Sequence, residues 1–279
     1  QPTGCQLTDL TSQEIARMEE ARFFELDIKL EALRARLATE DARAIEAYRE
    51  KVDIGWLYHD CAMEGVVLSY HEIKDAIDRK IISDVSLVSL YEEIRNHKIA
   101  IDRVKDLAQQ QSGNRKKRGL ISVDQIKPLH EILTPEDKSK GNPYRKDNPL
   151  HRAYFHEIAT PDKIPLRMRK LCEWLDDEEV ESLHPIGRAA GAHFRLMAIY
   201  PWTKNSGKVA RLLMNLLLIR EGYPPTVLHS IERQRYYDSL RAENGQLAGL
   251  IVESLSNYVS TTTRFLDEIA ELRRSRAAS

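Results

Sequence analysis

The 279-residue chain has little of several features that would define its class at once. Its three cysteines, Cys5, Cys61 and Cys172, are an odd number at wide and irregular spacing. This pattern fits neither a disulfide framework nor a zinc site. Neither sign of charge is in excess, because 42 lysines and arginines balance 43 aspartates and glutamates. A nucleic-acid backbone or an anionic membrane favours a basic surplus, so we expect neither as a partner.

Long apolar runs are also absent. The most apolar stretch, 212–219, is short and is interrupted by Asn215, and residues 1–10 lack a basic segment followed by an apolar one. We therefore expect a cytoplasmic protein with reduced thiols and no membrane anchor. The sequence leaves the oligomeric state open.

Glycine and proline are scarce, with 12 and 11 residues, and apolar residues recur every three to four positions between them. This periodicity predicts amphipathic helices and an all-α fold. We predict helices over 12–38, 40–64, 85–111, 122–133, 163–175, 185–199, 208–221, 231–243 and 246–273, and a short one that starts at Ser69. The end after residue 272 is expected to be frayed.

Two segments break the helical pattern. The basic run 115–118 lies between two glycines and is typical of a solvated loop, so we assign it no function. Residues 134–165 contain five prolines, and aromatic and aliphatic residues over 150–158 predict a short β-hairpin near 154–161. We divide the chain into an N-terminal helical region, 1–111, a core, 121–243, and a C-terminal helix, 244–279.

One loop between two apolar helices suits an anion. The segment Tyr200-Pro-Trp-Thr-Lys-Asn-Ser-Gly-Lys-Val-Ala-Arg211 leads into a helix that starts within 205–208 and ends at Gly222. A glycine-containing turn at a helix start directs free N–H groups and the positive end of the helix dipole at one point. Lys208 and Arg211 lie near that turn, which therefore suits a phosphate. A plain interhelical loop with basic surface residues explains the pattern equally well.

The residues of this region resemble the Fic (filamentation induced by cAMP) family. The likeness rests on 191–225, above all on Arg-Leu-Leu-Met-Asn-Leu-Leu-Leu-Ile-Arg-Glu-Gly-Tyr-Pro-Pro, and includes Leu129-His130, Pro143-Tyr-Arg145, His184-Pro185 and Tyr236-Tyr237. The resemblance implies a Fic-type helical bundle with a short β-hairpin flap. It also implies transfer of AMP from ATP, or use of another nucleotide, with a protein hydroxyl as acceptor.

The resemblance assigns family roles to residues 200–211, with replacements. The family signature is His-Pro-Phe-x-Asp/Glu-Gly-Asn-Gly-Arg-x-x-Arg. Tyr200 takes the place of the general-base His, and a phenol with a pKa of about 10 is a poor base at neutral pH. Lys204 takes the place of the acid that holds Mg²⁺, and an ammonium repels a cation, so we predict no metal ligand here. The resemblance implies phosphate binding by Lys204, Asn205, Ser206, Gly207, Lys208 and Arg211.

Two further segments carry family roles by resemblance. Asp60-Cys-Ala-Met-Glu64-Gly65 resembles the inhibitory helix Ser/Thr-x-x-x-Glu-Gly/Asn, whose Glu pairs with the last Arg of the signature, here Arg211. The alternative is that Glu64-Gly65 only ends a helix. The hairpin, with His156, Glu157 and Ile158, corresponds to the flap that holds a target protein by backbone pairing, or it only covers the core.

Three functions therefore stay open. The first is AMP transfer to protein hydroxyls, impaired or altered by Tyr200 and Lys204. The second is a pseudoenzyme that binds a nucleotide or another phosphate without turning it over, and the third is a helical protein-interaction module. A cleft open beside Gly207 favours the first two. His193, on the apolar helix before Tyr200, is predicted to be a core residue.

Overall fold

The computed structural model describes residues 12–80, 84–112, 121–138, 143–149, 156–241 and 246–278, with side chains from residue 20 to residue 276. All regular structure in these ranges is helical, which confirms the all-α class. The helices are α1 (Ser12–Leu37), α2 (Ala42–Met63), α3 (Tyr70–Ile77), α4 (Val88–Gln111), α5 (Val123–Leu133), α6 (Pro135–Lys138), α7 (Ile164–Leu175), α8 (Glu178–Ser182), α9 (Pro185–Ile199), α10 (Ser206–Arg220), α11 (Arg233–Arg241) and α12 (Leu247–Ala278).

Helix starts follow local capping residues. The Asp41 carboxylate accepts hydrogen bonds from the N–H groups of Arg43 and Ala44, at 3.1 and 3.0 Å, and so begins α2. Ser69 and Glu72 form a reciprocal capping box at α3, with bonds of 2.6 and 3.2 Å. Because such caps satisfy donors that the helix itself leaves unpaired, they make the helix start readable from the sequence.

Some boundaries differ from the prediction. Helix α10 begins at Ser206, inside the predicted start at 205–208 and two residues before the predicted range 208–221, because Asn205 in a left-handed conformation is its N-cap. Helix α12 does not fray after residue 272 but continues to Ala278, since its last turns are good helix formers and Arg273 donates to Glu40 at 2.7 Å. Helices α6 and α8 have four and five residues, too few to show an apolar period.

Helix α10 lies at the centre of the fold. Every residue from Ser206 to Leu218 is buried, and the helix packs against α9, α4 and α5. Asn215, which interrupts the apolar run, exchanges two hydrogen bonds of 2.7 and 3.0 Å with the main chain of Thr226. Since a buried helix needs apolar residues on all sides and partners for its polar ones, α10 positions whatever its first turn carries.

All three predicted segments of the chain contribute to one hydrophobic core. Leu57 of α2, Met214 of α10 and Ile251 of α12 are fully buried in the same cluster. Of the N-terminal helices, α4 packs directly onto α10, α3 packs on α4, and α1 packs on α12. Within the described residues, no helix combines the length and apolar character needed to cross a bilayer.

The β-hairpin predicted for 154–161 is not seen in the described residues. Residues 150–155 lie outside them, and 156–160 are irregular rather than a strand. Within the described part, the Ala159 N–H donates to the carbonyl of Ala198 at 2.8 Å, and the Ala159 carbonyl accepts from Arg145. The Ala159 main chain therefore pairs with the end of α9 and with Arg145.

Two glycines of α9 provide a matched test of helix packing. A Cβ on Gly191 would lie 2.7 Å from the Trp174 ring of α7, whereas one on Gly187 would meet nothing within 4 Å. Both alanine substitutions gain helix propensity, of about 1 kcal/mol, so their difference isolates the steric contact. We expect Gly191→Ala to be less stable than Gly187→Ala by about 1–3 kcal/mol in urea unfolding. Equal stabilities would contradict the close packing of α7 on α9.

Candidate functional site

The loop between α9 and α10 is a tight turn with two residues in the left-handed region. Tyr200 has φ +48° and Asn205 has φ +61°, which is uncommon for residues other than glycine. The Tyr200 N–H donates to the carbonyl of Leu196 at 2.8 Å and closes α9. The Ser206 hydroxyl accepts from the N–H of Trp202 at 2.9 Å and donates to its carbonyl at 2.7 Å. Its single proton is therefore used inside the loop, although we predicted a phosphate-binding role for Ser206.

Arg145 holds this loop from outside. Its buried guanidinium donates to the carbonyls of Tyr200, at 2.7 Å, Ile199, at 3.3 Å, and Ala159. Its main-chain N–H donates to the carbonyl of Pro201 at 3.0 Å. Burial lowers the pKa of Arg145. One side chain thus joins the end of α9, the start of the loop and the segment after residue 155.

Helix α5 supplies the opposite wall of the loop. The His130 ring stacks on Trp202, with ring centroids 4.4 Å apart and planes 7° from parallel. His130 Nε2 lies 3.2 Å from the carbonyl oxygen of Lys204, and Asn205 Nδ2 donates to the Thr134 hydroxyl at 2.9 Å. Trp202 is therefore a packing residue, and the loop holds the Lys204 main chain without using its ammonium.

The end of α2 reaches the first turn of α10. Glu64 is the C-cap of α2, and Gly65, at φ +92°, donates its N–H to the carbonyl of Ala62 at 3.0 Å. This left-handed residue favours glycine and stops the helix at Glu64. Arg211 Nη2 donates to Glu64 Oε1 at 3.1 Å. Glu64 therefore both ends the helix and contacts Arg211.

A second carboxylate, Asp60, binds the same guanidinium from one turn earlier. Arg211 Nε donates to Asp60 Oδ1 at 2.5 Å, and His97 Nε2 of α4 lies 3.1 Å from Asp60 Oδ2. Burial alone would raise the pKa of Asp60, but the Arg211 charge and His97 outweigh it and bring the pKa to about 2. Burial lowers the pKa of His97. The cluster at neutral pH is thus an arginine cation with two carboxylates and a neutral imidazole.

Glu64, alone of this cluster, lines a cavity of about 660 Å³ at the start of α10. The loop and first turn contribute Tyr200, Lys204, Asn205 and Lys208, and α2 contributes Glu64. Lys208 is only 7% exposed, and no hydrogen bond or ion pair joins its ammonium to another described residue. The cavity therefore holds a nearly buried cation beside the Glu64 carboxylate, which already pairs with Arg211, and three further glutamates, Glu92, Glu93 and Glu136, also line it.

Comparisons with known proteins identify a domain in part of the chain. Residues 120–218 match the model of the Fic/DOC family. The proteins named protein adenylyltransferase Fic from Drosophila persimilis and Drosophila melanogaster are each 27% identical over 237 residues, covering 84% of this chain and 44% and 46% of those proteins. The chain thus spans less than half the length of these curated relatives.

Solved structures share the fold. A Fic domain containing signaling protein from Bacteroides thetaiotaomicron superposes with a TM-score of 0.67 at 24% identity, covering 88% of this chain and 95% of that one. Fic-1 from C. elegans gives 0.72 at 21% identity, with 92% and 74% covered. The chain contains a Fic domain.

The segment of this Fic domain predicted to be a flap faces largely inward. His156 is buried, and its Nε2 lies 2.9 Å from the carbonyl oxygen of Met197. Ile158 packs against the core, and Glu157 is exposed. Of the three residues predicted to meet a target, two therefore contact the domain itself, and docking at this segment stays a prediction.

The residues of the Fic domain do not fit Mg²⁺ at the position that the family signature gives to an acid. Lys204 is exposed there, and its ammonium has no lone pair for a metal. In the parts of the chain that the structure describes, no group of three or more His, Cys, Asp or Glu side chains is arranged to hold an ion. Positive charge near a phosphate would come instead from Lys204 and Lys208 themselves.

Sequence reasoning missed several contributors to the site. The spacing of Asp60 and Glu64 places both on one helix face, which could have indicated that both reach Arg211. No sequence signal brings His97 of α4 to Asp60. His193 lies in the core as expected, fully buried, with its Nε2 3.1 Å from the Tyr236 hydroxyl, and burial lowers its pKa to about 3.

Gly207 allows the contact between Glu64 and Arg211. A Cβ at this position would lie 2.7 Å from Glu64 Oε1 and 3.2 Å from Arg211 Nη1. We therefore expect Gly207→Ala to displace the Glu64 carboxylate from Arg211, and this loss, partly offset by the helix propensity of alanine, to lower the free energy of unfolding by about 1 kcal/mol. In a Glu64→Ala background, the loss of unfolding free energy caused by Gly207→Ala should be at least halved, because the Glu64 carboxylate oxygen that would contact the new methyl group is gone. Urea unfolding of the parent, the two single variants and the double variant measures this coupling. If the two substitutions change the free energy of unfolding additively, residues 64 and 207 do not touch.

Proposed function

We propose that this Fic domain binds the phosphates of ATP in the cavity beside Gly207 and transfers AMP to hydroxyl side chains of a target protein. The observation that carries the proposal is the Glu64 carboxylate, 3.1 Å from Arg211 at the first turn of α10. A carboxylate there occupies a position suited to a phosphate oxygen, so the site recognises oxyanions. The relatives named protein adenylyltransferase Fic support the reaction.

The resting state is closed in this proposal. While Glu64 is paired with Arg211, a phosphate that approaches α10 meets a negative charge. Displacement of Glu64 opens the position, and the target segment then docks beside residues 156–160, where Glu157 faces solvent. The family's inhibitory role thus falls on Glu64.

The transfer itself lacks a strong base. The acceptor oxygen forms a bond to the α-phosphorus, the bond from that phosphorus to the β-phosphate oxygen breaks, and pyrophosphate leaves with the electron pair. The hydroxyl proton would pass to Tyr200 or to solvent, and a neutral phenol accepts it poorly. Lys204 and Lys208 would offset charge on the phosphates. We therefore expect slow transfer even when the site is open.

A second candidate function is nucleotide sensing without turnover. It is favoured by the same two replacements, because Tyr200 and Lys204 remove the proton acceptor and the metal-binding acid while Lys208 remains available to an anion. Both candidates require nucleotide binding, and they differ only in transfer. The two experiments below separate them.

The first experiment tests binding. Glu64→Gly removes the carboxylate from Arg211, so ATP should raise the melting temperature of this variant by several degrees more than that of the parent protein. Asp78→Gly, at the acidic C-cap of α3, is the matched control because Asp78 does not line the cavity. We expect this control to respond to ATP like the parent. If ATP shifts neither the parent nor Glu64→Gly, the proposed nucleotide site is wrong.

The second experiment tests transfer. In the Glu64→Gly background, Tyr200→His supplies a base of suitable pKa, and labelled AMP transfer to protein should rise by about 10²–10⁴-fold. Tyr200→Phe should leave the slow rate nearly unchanged, because the phenol contributes little as a base. A rate abolished by Tyr200→Phe would instead make Tyr200 a catalytic residue. No transfer by any variant, with ATP bound, would favour the sensing function.

A further inference from the structure

Asp60 is a closer and more buried partner of Arg211 than Glu64. The Arg211–Asp60 contact is 2.5 Å, with side chains 2% and 4% exposed, whereas the Arg211–Glu64 contact is 3.1 Å, with Glu64 20% exposed. Glu64 lines the cavity, and Asp60 does not. Loss of the Glu64 contact therefore leaves the Arg211 guanidinium paired.

His97 lies against the other oxygen of Asp60. Its Nε2 lies 3.1 Å from Asp60 Oδ2, and the imidazole of this α4 residue is fully buried. Asp60 is thus enclosed between α4 and α10 and contacts a neighbour through each oxygen. With Glu64 removed, one arginine charge and one aspartate charge remain, so the net charge of the pair is zero.

Lys208 differs from Arg211 in this respect. It lies one turn closer to the start of α10, it is 7% exposed and it lines the cavity. No other described residue neutralises its ammonium through a hydrogen bond or an ion pair. A nearly buried cation without a carboxylate partner attracts an anion more strongly than a cation that is already paired.

We infer that Asp60 decides which cation of this Fic domain receives the terminal phosphates of a nucleotide: Asp60 keeps Arg211 neutralised after Glu64 has left, and Lys208 takes the phosphates. The inference rests on the proposed nucleotide binding. The inhibitory pattern that this segment resembles has Ser or Thr at position 60, and neither residue brings a negative charge. Asp60 therefore acts as a positioning residue that sets phosphate specificity through Arg211.

The test removes the charge of Asp60 and keeps its shape. Asp60→Asn retains an oxygen that can accept from Arg211 Nε. In the Glu64→Gly background, we expect this change to raise the affinity for ATP at least tenfold in calorimetric titration, while the affinity for adenosine stays within twofold. With Glu64 present, the gain for ATP should be smaller, because Glu64 still neutralises Arg211. Asp60→Ser provides a second variant if the asparagine variant does not fold.

Lys208 and Asp53 complete the experiment. Lys208→Met in the Glu64→Gly background should lower the affinity for ATP at least tenfold. When Asp60→Asn is also present, the same change should lower the affinity by less, because Arg211 is then free to bind the phosphates. Asp53→Asn is the matched control. Asp53 is a carboxylate on α2, 8% exposed and paired with Lys105 at 2.5 Å. Removal of the Asp53 charge should change the stability of the protein and leave its affinity for ATP unchanged.

The outcomes separate this inference from the proposed function. Equal ATP affinity with and without Asp60→Asn, or an equal gain for adenosine, would overturn the specificity role of Asp60 and leave nucleotide binding intact. A gain from Asp53→Asn equal to that from Asp60→Asn would also overturn it. Absence of ATP binding in every variant would reject the proposed nucleotide site, and the inference with it.

Discussion

The buried guanidinium of Arg211 is the constraint on which the site depends. Helix α10 is enclosed on all sides, so a cation in its first turns needs a nearby negative charge. The C-terminal turns of α2 supply two carboxylates, and this fixes α2 against α10. The absence of a side chain at Gly207 permits the close approach. Lys208, one turn away, lines the cavity with Glu64, and no described residue pairs with its ammonium through a hydrogen bond or an ion pair.

The scaffold of the Fic domain does not require the residues that its chemistry would use. The loop is held through main-chain groups and ring contacts. These are the hydrogen bonds from the Arg145 guanidinium, the stack of His130 on Trp202 and the hydrogen bonds of the Ser206 hydroxyl. The ammonium of Lys204 takes no part in these bonds among the described residues. A loop held in this way keeps its shape when the proton acceptor or metal ligand is replaced. Fold and reaction can therefore diverge within one family.

Prediction succeeded where the deciding interaction is local. Helix α9 has the predicted bounds, and Ser69 and Glu72 cap α3, because both depend on residues a few positions apart. The described part of the segment near 154–161 depends instead on a distant group that meets the main chain of Ala159. That group is the end of α9 together with Arg145, and no pattern within the segment could reveal it.

The sequence by itself determined the helical class, the apolar helix α10, the cationic turn at its start and the likeness to the Fic family. These features depend on periodicity, caps and motif spacing, which are properties of neighbouring residues. Only the tertiary structure decided that Asp60 and His97 join Glu64 at Arg211, that the Ser206 hydroxyl is used within its own loop and that Lys208 has no described partner. Pairing between buried charges depends on how helices far apart in the chain pack. That packing places α2 and α4 around the first turns of α10.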